Sequence, residues 1–191
     1  DFVETMLTDT KRLSELIDNI LQSSKADPTS MALQFQPVNL EVFLAEVIKG
    51  YKRQLEEKKC FVNLKREDSP TLNVDPKALR MVFNNLISNA IRYSPVGSTL
   101  TIHLHKTGKY WGVDFEDQGF GFEKKDMKKI FRKFYRVQNT DTQNIEGAGL
   151  GLFISSEIVK NHKGRLKVSS PGRGKGSIFS VLLPINREVE A

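Results

Sequence analysis

The chain has 191 residues, 27% of them charged and 39% hydrophobic, with a formal net charge of +6. That length suits one core plus an arm, and the scattered lysines and arginines form no basic stripe interleaved with aromatics, so nucleic acid is not an expected partner. No segment has the apolar run that spans a bilayer, the N-terminus lacks a tripartite signal pattern, and the lone Cys60 reads as a buried spectator thiol, all of which fits a reducing cytosol.

Residues 1–26 read as one helix, because Val3, Met6, Thr10, Leu13, Ile17, Ile20 and Ser24 follow alternating steps of three and four, a heptad seam. Its flanks carry Glu4, Asp9, Lys11, Arg12, Glu15 and Asp18, so one stripe faces a partner, either outside this chain or the main domain itself. Asp27-Pro28-Thr29-Ser30 then breaks the helix. The expected organisation is an arm at 1–27, a linker at 28–37, a main domain at 38–186 and a tail at 187–191.

Beyond the break, residues 31–37 look extended, Asn39 caps a helix over 40–59, and a strand follows at 61–65. Asp75-Pro76 supplies an N-cap and a first-turn proline for a helix that runs to Tyr93, where Ser94-Pro95 stops it. Leu100, Ile102 and Leu104 share one face of a strand, as do Trp111, Val113 and Phe115, with Lys106-Thr107-Gly108-Lys109 as the turn of the hairpin. A short helix over 124–134 leads into a polar stretch, 138–146, with too little apolar surface to hold itself in place. A helix over 149–162 ends at Gly164 with Lys160 and Lys163 in its last turn, and strands at 165–169 and 177–183 close the domain around Pro171 to Gly176. There is no internal repeat.

At about 100° per residue, Asn85, Asn89, Arg92 and Tyr93 share one arc of their helix, opposite Leu79, Phe83, Leu86, Ile87 and Ala90. Two carboxamides one turn apart beside a cation suit a hydrated Mg²⁺ bridging phosphate oxygens; the same arc is also what a plain solvated face looks like. Asp117 ends a strand and precedes Gly119 and Gly121, where backbone can approach a ligand and a carboxylate can accept from an adenine amine, although an ordinary turn gives the same pattern. Gly147-Ala148-Gly149-Leu150-Gly151-Leu152 opens a helix, so its N–H groups can converge on phosphate. Gly172-Arg173-Gly174-Lys175-Gly176 lies between two strands and reads as a hairpin turn that phosphates ignore. His103 and His105 share the hairpin face opposite Leu100, Ile102 and Leu104, with no cysteine or carboxylate cluster in sight to complete a zinc set, and His162 suits a helix C-terminal cap.

In this order the motifs resemble the ATP-binding catalytic domain of sensor histidine kinases, within the GHKL group of ATPases and kinases. Asn85 to Tyr93 looks like the N box, Asp117 to Gly121 the G1 box, Phe131 to Arg136 the F box and Gly147 to Leu152 the G2 box. The resemblance implies a two-layer α/β sandwich, a mixed sheet backed by helices, with ATP and Mg²⁺ as cofactors and the polar stretch as a flexible lid. It further implies that Asn89 coordinates Mg²⁺ with Asn85 assisting, that Arg92 contacts phosphate where lysine is usual, that Tyr93 flanks adenine and that Asp117 receives its amine. By the same resemblance Gly119 and Gly121 are expected to shape the floor, Arg136 to reach towards the terminal phosphates, Gly149, Leu150, Gly151 and Leu152 to line the phosphate turn, and Phe131 and Phe134 to anchor the lid. Ala148 replaces the usual threonine, which removes a hydroxyl and keeps the amides. Related ATPases place a water-activating glutamate at the position of Asn85; an amide is a poor general base, which favours transfer over hydrolysis.

The arm resembles the second helix of a dimerisation and histidine-phosphotransfer hairpin, and no His-Glu-x-x-Thr-Pro-like segment precedes it. The chain is therefore expected to be a cytoplasmic fragment of a kinase whose full length can be membrane-anchored. Its expected partners are the histidine-bearing helix of the same kinase, a response-regulator receiver domain and, through residues 1–26, a second copy. A serine-directed kinase or ATPase of the same fold, and a non-catalytic interaction module, are the alternatives.

Overall fold

Asp75 starts the longest helix by the mechanism its position predicts: its carboxylate accepts from the N–H groups of Lys77 and Ala78, both at 2.9 Å, ahead of Pro76 in the first turn. Around this helix the computed structural model describes residues 32–137, 145 and 147–185. The elements are β1 (Gln36–Asn39), α1 (Leu40–Lys49), α2 (Lys52–Glu57), β2 (Phe61–Arg66), β3 (Thr71–Val74), α3 (Pro76–Tyr93), β4 (Thr99–Thr107), β5 (Tyr110–Asp117), α4 (Lys124–Met127), α5 (Gly151–Asn161), β6 (Arg165–Ser169) and β7 (Ser177–Pro184). The arm expected at 1–26, the tail at 187–191, and the polar stretch 138–146 apart from Ile145 lie outside the described residues.

Five strands form a mixed sheet in the order β2-β4-β5-β7-β6. β2 and β4 are parallel, which requires a long crossover, and β3 with α3 provides it; the other pairs are antiparallel. β1 and β3 pair separately as a two-stranded ribbon. Alternation along β4, β5 and β7 sends Leu100, Ile102, Leu104, Val113, Phe115, Val181 and Leu183 to one face, all buried. Against that face α3 lays Leu79, Val82, Phe83, Leu86 and Ile87, and the rings of Phe43, Phe83 and Phe115 run through the core at centroid separations of 5.8 and 5.3 Å. The expected two-layer α/β sandwich is what the chain forms.

Several local expectations need correction. The helix expected over 40–59 is two helices, because Gly50, with its low helical propensity, allows a break at which Tyr51 turns onto α3 and donates its hydroxyl to the Asn84 carbonyl at 3.0 Å. The helix expected over 124–134 is a single turn. Beyond it the chain follows side-chain anchors instead: buried Asp126 accepts from the Tyr135 hydroxyl at 2.7 Å, and Phe134 takes φ +62°. The final helix begins at Gly151 rather than 149. β3 escapes a sequence reading, since four residues are too few to show a period. The hairpin closes through only Gly108 and Lys109, with Thr107 paired to Tyr110 and Gly108 at φ +56°.

Residues assigned to the linker by sequence touch the domain: Gln34 donates its N–H to Asp75 Oδ2 at 2.7 Å, and the Phe35 ring meets His162 edge-on at 5.2 Å. His162 is buried and donates Nδ1–H to the Ile158 carbonyl at 2.8 Å, the capping role expected of it, while Nε2 accepts the Asp75 N–H at 3.0 Å. Cys60 is buried beside the Ser98 hydroxyl, as a spectator thiol should be. Among the described residues no helix is long and apolar enough to cross a membrane.

Candidate functional site

β5 delivers Asp117 to the end of the sheet with its side chain on the helix-covered side. The residue is 8% exposed. Its Oδ1 accepts the Gly119 N–H at 2.8 Å and its Oδ2 accepts the Ser177 hydroxyl at 2.5 Å. Burial pushes its pKa up; the bonds from Ser177 and Gly119 hold it back, and neighbouring Glu116 adds to the rise. The carboxylate as a whole keeps acceptor capacity for an incoming donor.

The turn after Asp117 is built for close backbone approach. A Cβ on Gly119 would stand 2.6 Å from the Tyr93 carbonyl and 2.7 Å from Asp117 Oδ1. The Phe120 N–H donates to that same carbonyl at 3.1 Å, so the end of α3 is tied to the turn. Gly121, at φ +55°, lies where a side chain would strike the Gly172 carbonyl. The connection between β6 and β7 is a turn, as expected, but it does not stand apart. Gly174 donates to the Phe120 carbonyl at 2.6 Å, Gly176 donates to the Gly119 carbonyl at 2.9 Å, and the Ser170 hydroxyl accepts the Phe122 N–H at 3.2 Å. This loop buttresses the Asp117 turn.

On the polar arc of α3, Asn85 donates Nδ2–H to the Ser155 hydroxyl on α5 at 3.0 Å, and Asn89 reaches Asn85 Oδ1 at 3.5 Å, the outer limit of a hydrogen bond. A side chain on Gly151 would collide with the Asn85 carboxamide. Asn85 is thus wedged between two helices and orients Asn89 through its Nδ2, which leaves the Asn89 carboxamide oxygen as an acceptor. These are neutral hard-oxygen donors and few in number, which fits an ion such as Mg²⁺ that keeps most of its waters. Arg92 is exposed, its guanidinium 3.5 Å from where a Gly147 Cβ would be.

The 147–150 turn precedes α5. Gly149 has φ +70°, its carbonyl accepts the Phe134 N–H at 3.0 Å, and Leu150 is buried beneath the turn. Leu152 packs against the core. Arg136 donates to the Ile145 carbonyl, at the edge of the polar stretch. The two phenylalanines expected to act together divide: Phe131 packs on the core, whereas Phe134 is 68% exposed.

The fold therefore brings Tyr93 against the Gly119 turn and Arg92 and Asn85 against the glycines of the second turn, with Asn89 beside Asn85, and leaves Arg136 donating to the Ile145 carbonyl. Sequence reasoning misses Ser155, Ser170 and Ser177. Ser177 is the register partner of Asp117, but a lone serine opening a strand carries no signal until that pairing is known. One exclusion also fails. His103 and His105 do have a carboxylate beside them, Asp114, which strand pairing brings across from β5.

Residues 74–187 match the family described as "Histidine kinase-, DNA gyrase B-, and HSP90-like ATPase". The chain belongs to this family. Within it the similarity is to sensor kinases: 30% identity over 191 residues to sensor histidine kinase WalK of Bacillus subtilis, covering 99% of this chain and 31% of that protein. Adaptive-response sensory kinase SasA of Synechococcus elongatus is 32% identical over 179 residues, covering 93% of this chain and 46% of that protein. The chain thus spans less than half the length of these curated relatives. The Acinetobacter baumannii histidine kinase AdeS superposes with a TM-score of 0.79 at 25% identity, over 97% of this chain and 84% of that one. Full-length ShkA in complex with AMPPNP shares the fold, with a TM-score of 0.83 at 23% identity over 98% and 39% of the two chains. This is a nucleotide-using catalytic domain of the sensor-histidine-kinase type.

Proposed function

We propose that the domain holds Mg-ATP at the end of the sheet and presents its terminal phosphate to a histidine on a separate helix of the same kinase, for relay to a response-regulator aspartate. The observation that carries this reading is the wedging of Asn85 between α3 and α5 by Ser155 and Gly151. It puts a carboxamide, already engaged in packing, where a hydrolytic enzyme needs a free carboxylate to activate water. In this reading Asp117 accepts the adenine amine, Tyr93 lies along the base, Gly119 and Gly121 give it room, Arg92 contacts phosphate and Arg136 reaches towards the terminal phosphates. Backbone N–H groups of Gly149, Leu150, Gly151 and Leu152 donate to phosphate oxygens at the start of α5. Asn89, oriented by Asn85, would hold Mg²⁺, whose chemistry is to neutralise charge on the transferring phosphoryl group.

The chain's three histidines are His103, His105 and His162. The first two lie on the sheet face away from α3, and the third is locked as a cap, so none is placed to attack a nucleotide held by α3 and α5. The acceptor comes from elsewhere, and ATP as donor puts the domain on the cytoplasmic side. One structural relative, the histidine kinase ThkA, forms a complex with the response regulator protein TrrA and superposes on this chain with a TM-score of 0.78 at 20% identity. That complex supports a receiver domain as the next partner. The seam at 1–26 is a proposed dimer contact.

Incubation with labelled ATP should leave this chain unlabelled, and adding a helical hairpin bearing a histidine should yield acid-labile phosphate on the hairpin. Acid-stable phosphate would indicate a serine-directed enzyme, and free phosphate released without transfer would indicate an ATPase.

A further inference from the structure

Across the sheet from the nucleotide site, three metal-binding side chains converge. His103 and His105 are alternate residues of β4, so both project from the face opposite the buried Ile102 and Leu104, and Asp114 of β5 is the direct cross-strand partner of His103. One ligand atom from each of His103, His105 and Asp114 lies within 4.8 Å of the other two. His105 Nε2 is 3.0 Å from Asp114 Oδ2, the centroids of the two imidazole rings are 4.9 Å apart, and Glu67 Oε1 stands 3.8 Å from His103 Nε2.

Two further features separate this cluster from a simple histidine–carboxylate hydrogen bond. Gly112 is the cross-strand partner of His105, and a Cβ there would sit 2.6 Å from Nε2, so a strand interior has given up its side chain to let the imidazole lie over it. Among the described residues, Asp114 Oδ1 is buried with no hydrogen-bond partner, a costly state for a carboxylate oxygen that a cation would relieve. Lys65, the β2 register partner of His103, opposes a cation, and Glu67 offsets it.

We propose that His103, His105 and Asp114 form a site for a divalent transition-metal ion of the zinc class, with Glu67 or water as the fourth ligand. Two imidazoles and one carboxylate are a donor set for such an ion rather than for Mg²⁺, which prefers oxygen alone, so this site is chemically distinct from the one on α3. The ion would clamp β4 to β5 on the outer face of the sheet.

The test is calorimetric titration of Zn²⁺ into the chain with Mg²⁺ in excess, together with the imidazole nitrogen resonances of the histidines. One equivalent should bind and shift His103 and His105 while His162 stays still. His103→Ala, at a partly exposed position, and Asp114→Asn, which keeps the side-chain shape and an oxygen, should each weaken binding by at least about tenfold and melt like the wild type without zinc. Absence of zinc binding by the wild type, unchanged affinity in both variants, or a shift at His162 instead would overturn the proposal.

Discussion

Replacing Asp117 with alanine would separate what this carboxylate does for the fold from the role proposed for it toward the base. In the fold it receives the Gly119 N–H at 2.8 Å and the Ser177 hydroxyl at 2.5 Å; alanine strands both donors, at about 1–3 kcal/mol each. The loss is offset in part because burial makes the carboxylate hard to ionise. Loss of a hydrogen bond from the adenine amine to a charged acceptor costs about 1.5–3 kcal/mol of binding, roughly 10- to 150-fold in affinity. Guanine presents a carbonyl where adenine presents that amine, so the ratio of ATP to GTP affinity measured on the same folded variant cancels the stability loss. Calorimetric titration with both nucleotides, below the melting temperature of Asp117→Ala, should give a ratio close to one. A folded variant that keeps the wild-type preference would place base recognition elsewhere. The pH dependence has a definite sign: because the folded pKa is raised, the wild type loses stability as pH climbs from the ordinary carboxylate value to the raised one, and the alanine variant lacks that portion of the loss.

Asn89→Ala should weaken ATP binding in the presence of Mg²⁺ and leave metal-free binding nearly unchanged; equal affinities with and without Mg²⁺ in wild type and variant alike would remove Asn89 from the metal site. Asp75→Ala should cost about 0.5–2 kcal/mol through the lost N-cap, read by chemical denaturation. Burial opposes ionisation of Asp75, but N–H donation from Ala78, Gln34 and Lys77, with His162 nearby, outweighs it and lowers the pKa. Its contribution is therefore complete above the ordinary carboxylate value and fades as pH falls through the lowered folded one, so wild type and variant should converge only in acid. A gap that instead widened in acid would refute this account of the cap.

Local chemistry was legible in the sequence wherever one residue and its immediate neighbours decide the outcome. Asp75-Pro76 opens α3 because a carboxylate and a proline satisfy a helix start without help from the rest of the chain. The alternation of Leu100, Ile102 and Leu104 fixes which face of β4 is buried, and the 3.6-residue period fixes the core side of α3. The four motifs and their order were enough to place the family. Contacts between distant segments were not legible. Ser177 meets Asp117 across 60 positions, Ser155 meets Asn85 across 70, and the 170–176 turn braces the 117–121 turn only because β5 and β7 are neighbours in the sheet. Pairing of β4 with β5 likewise puts Asp114 beside His103 and His105. Register is a property of two strands at once, set by how both bury their apolar faces, so no window along one of them contains it.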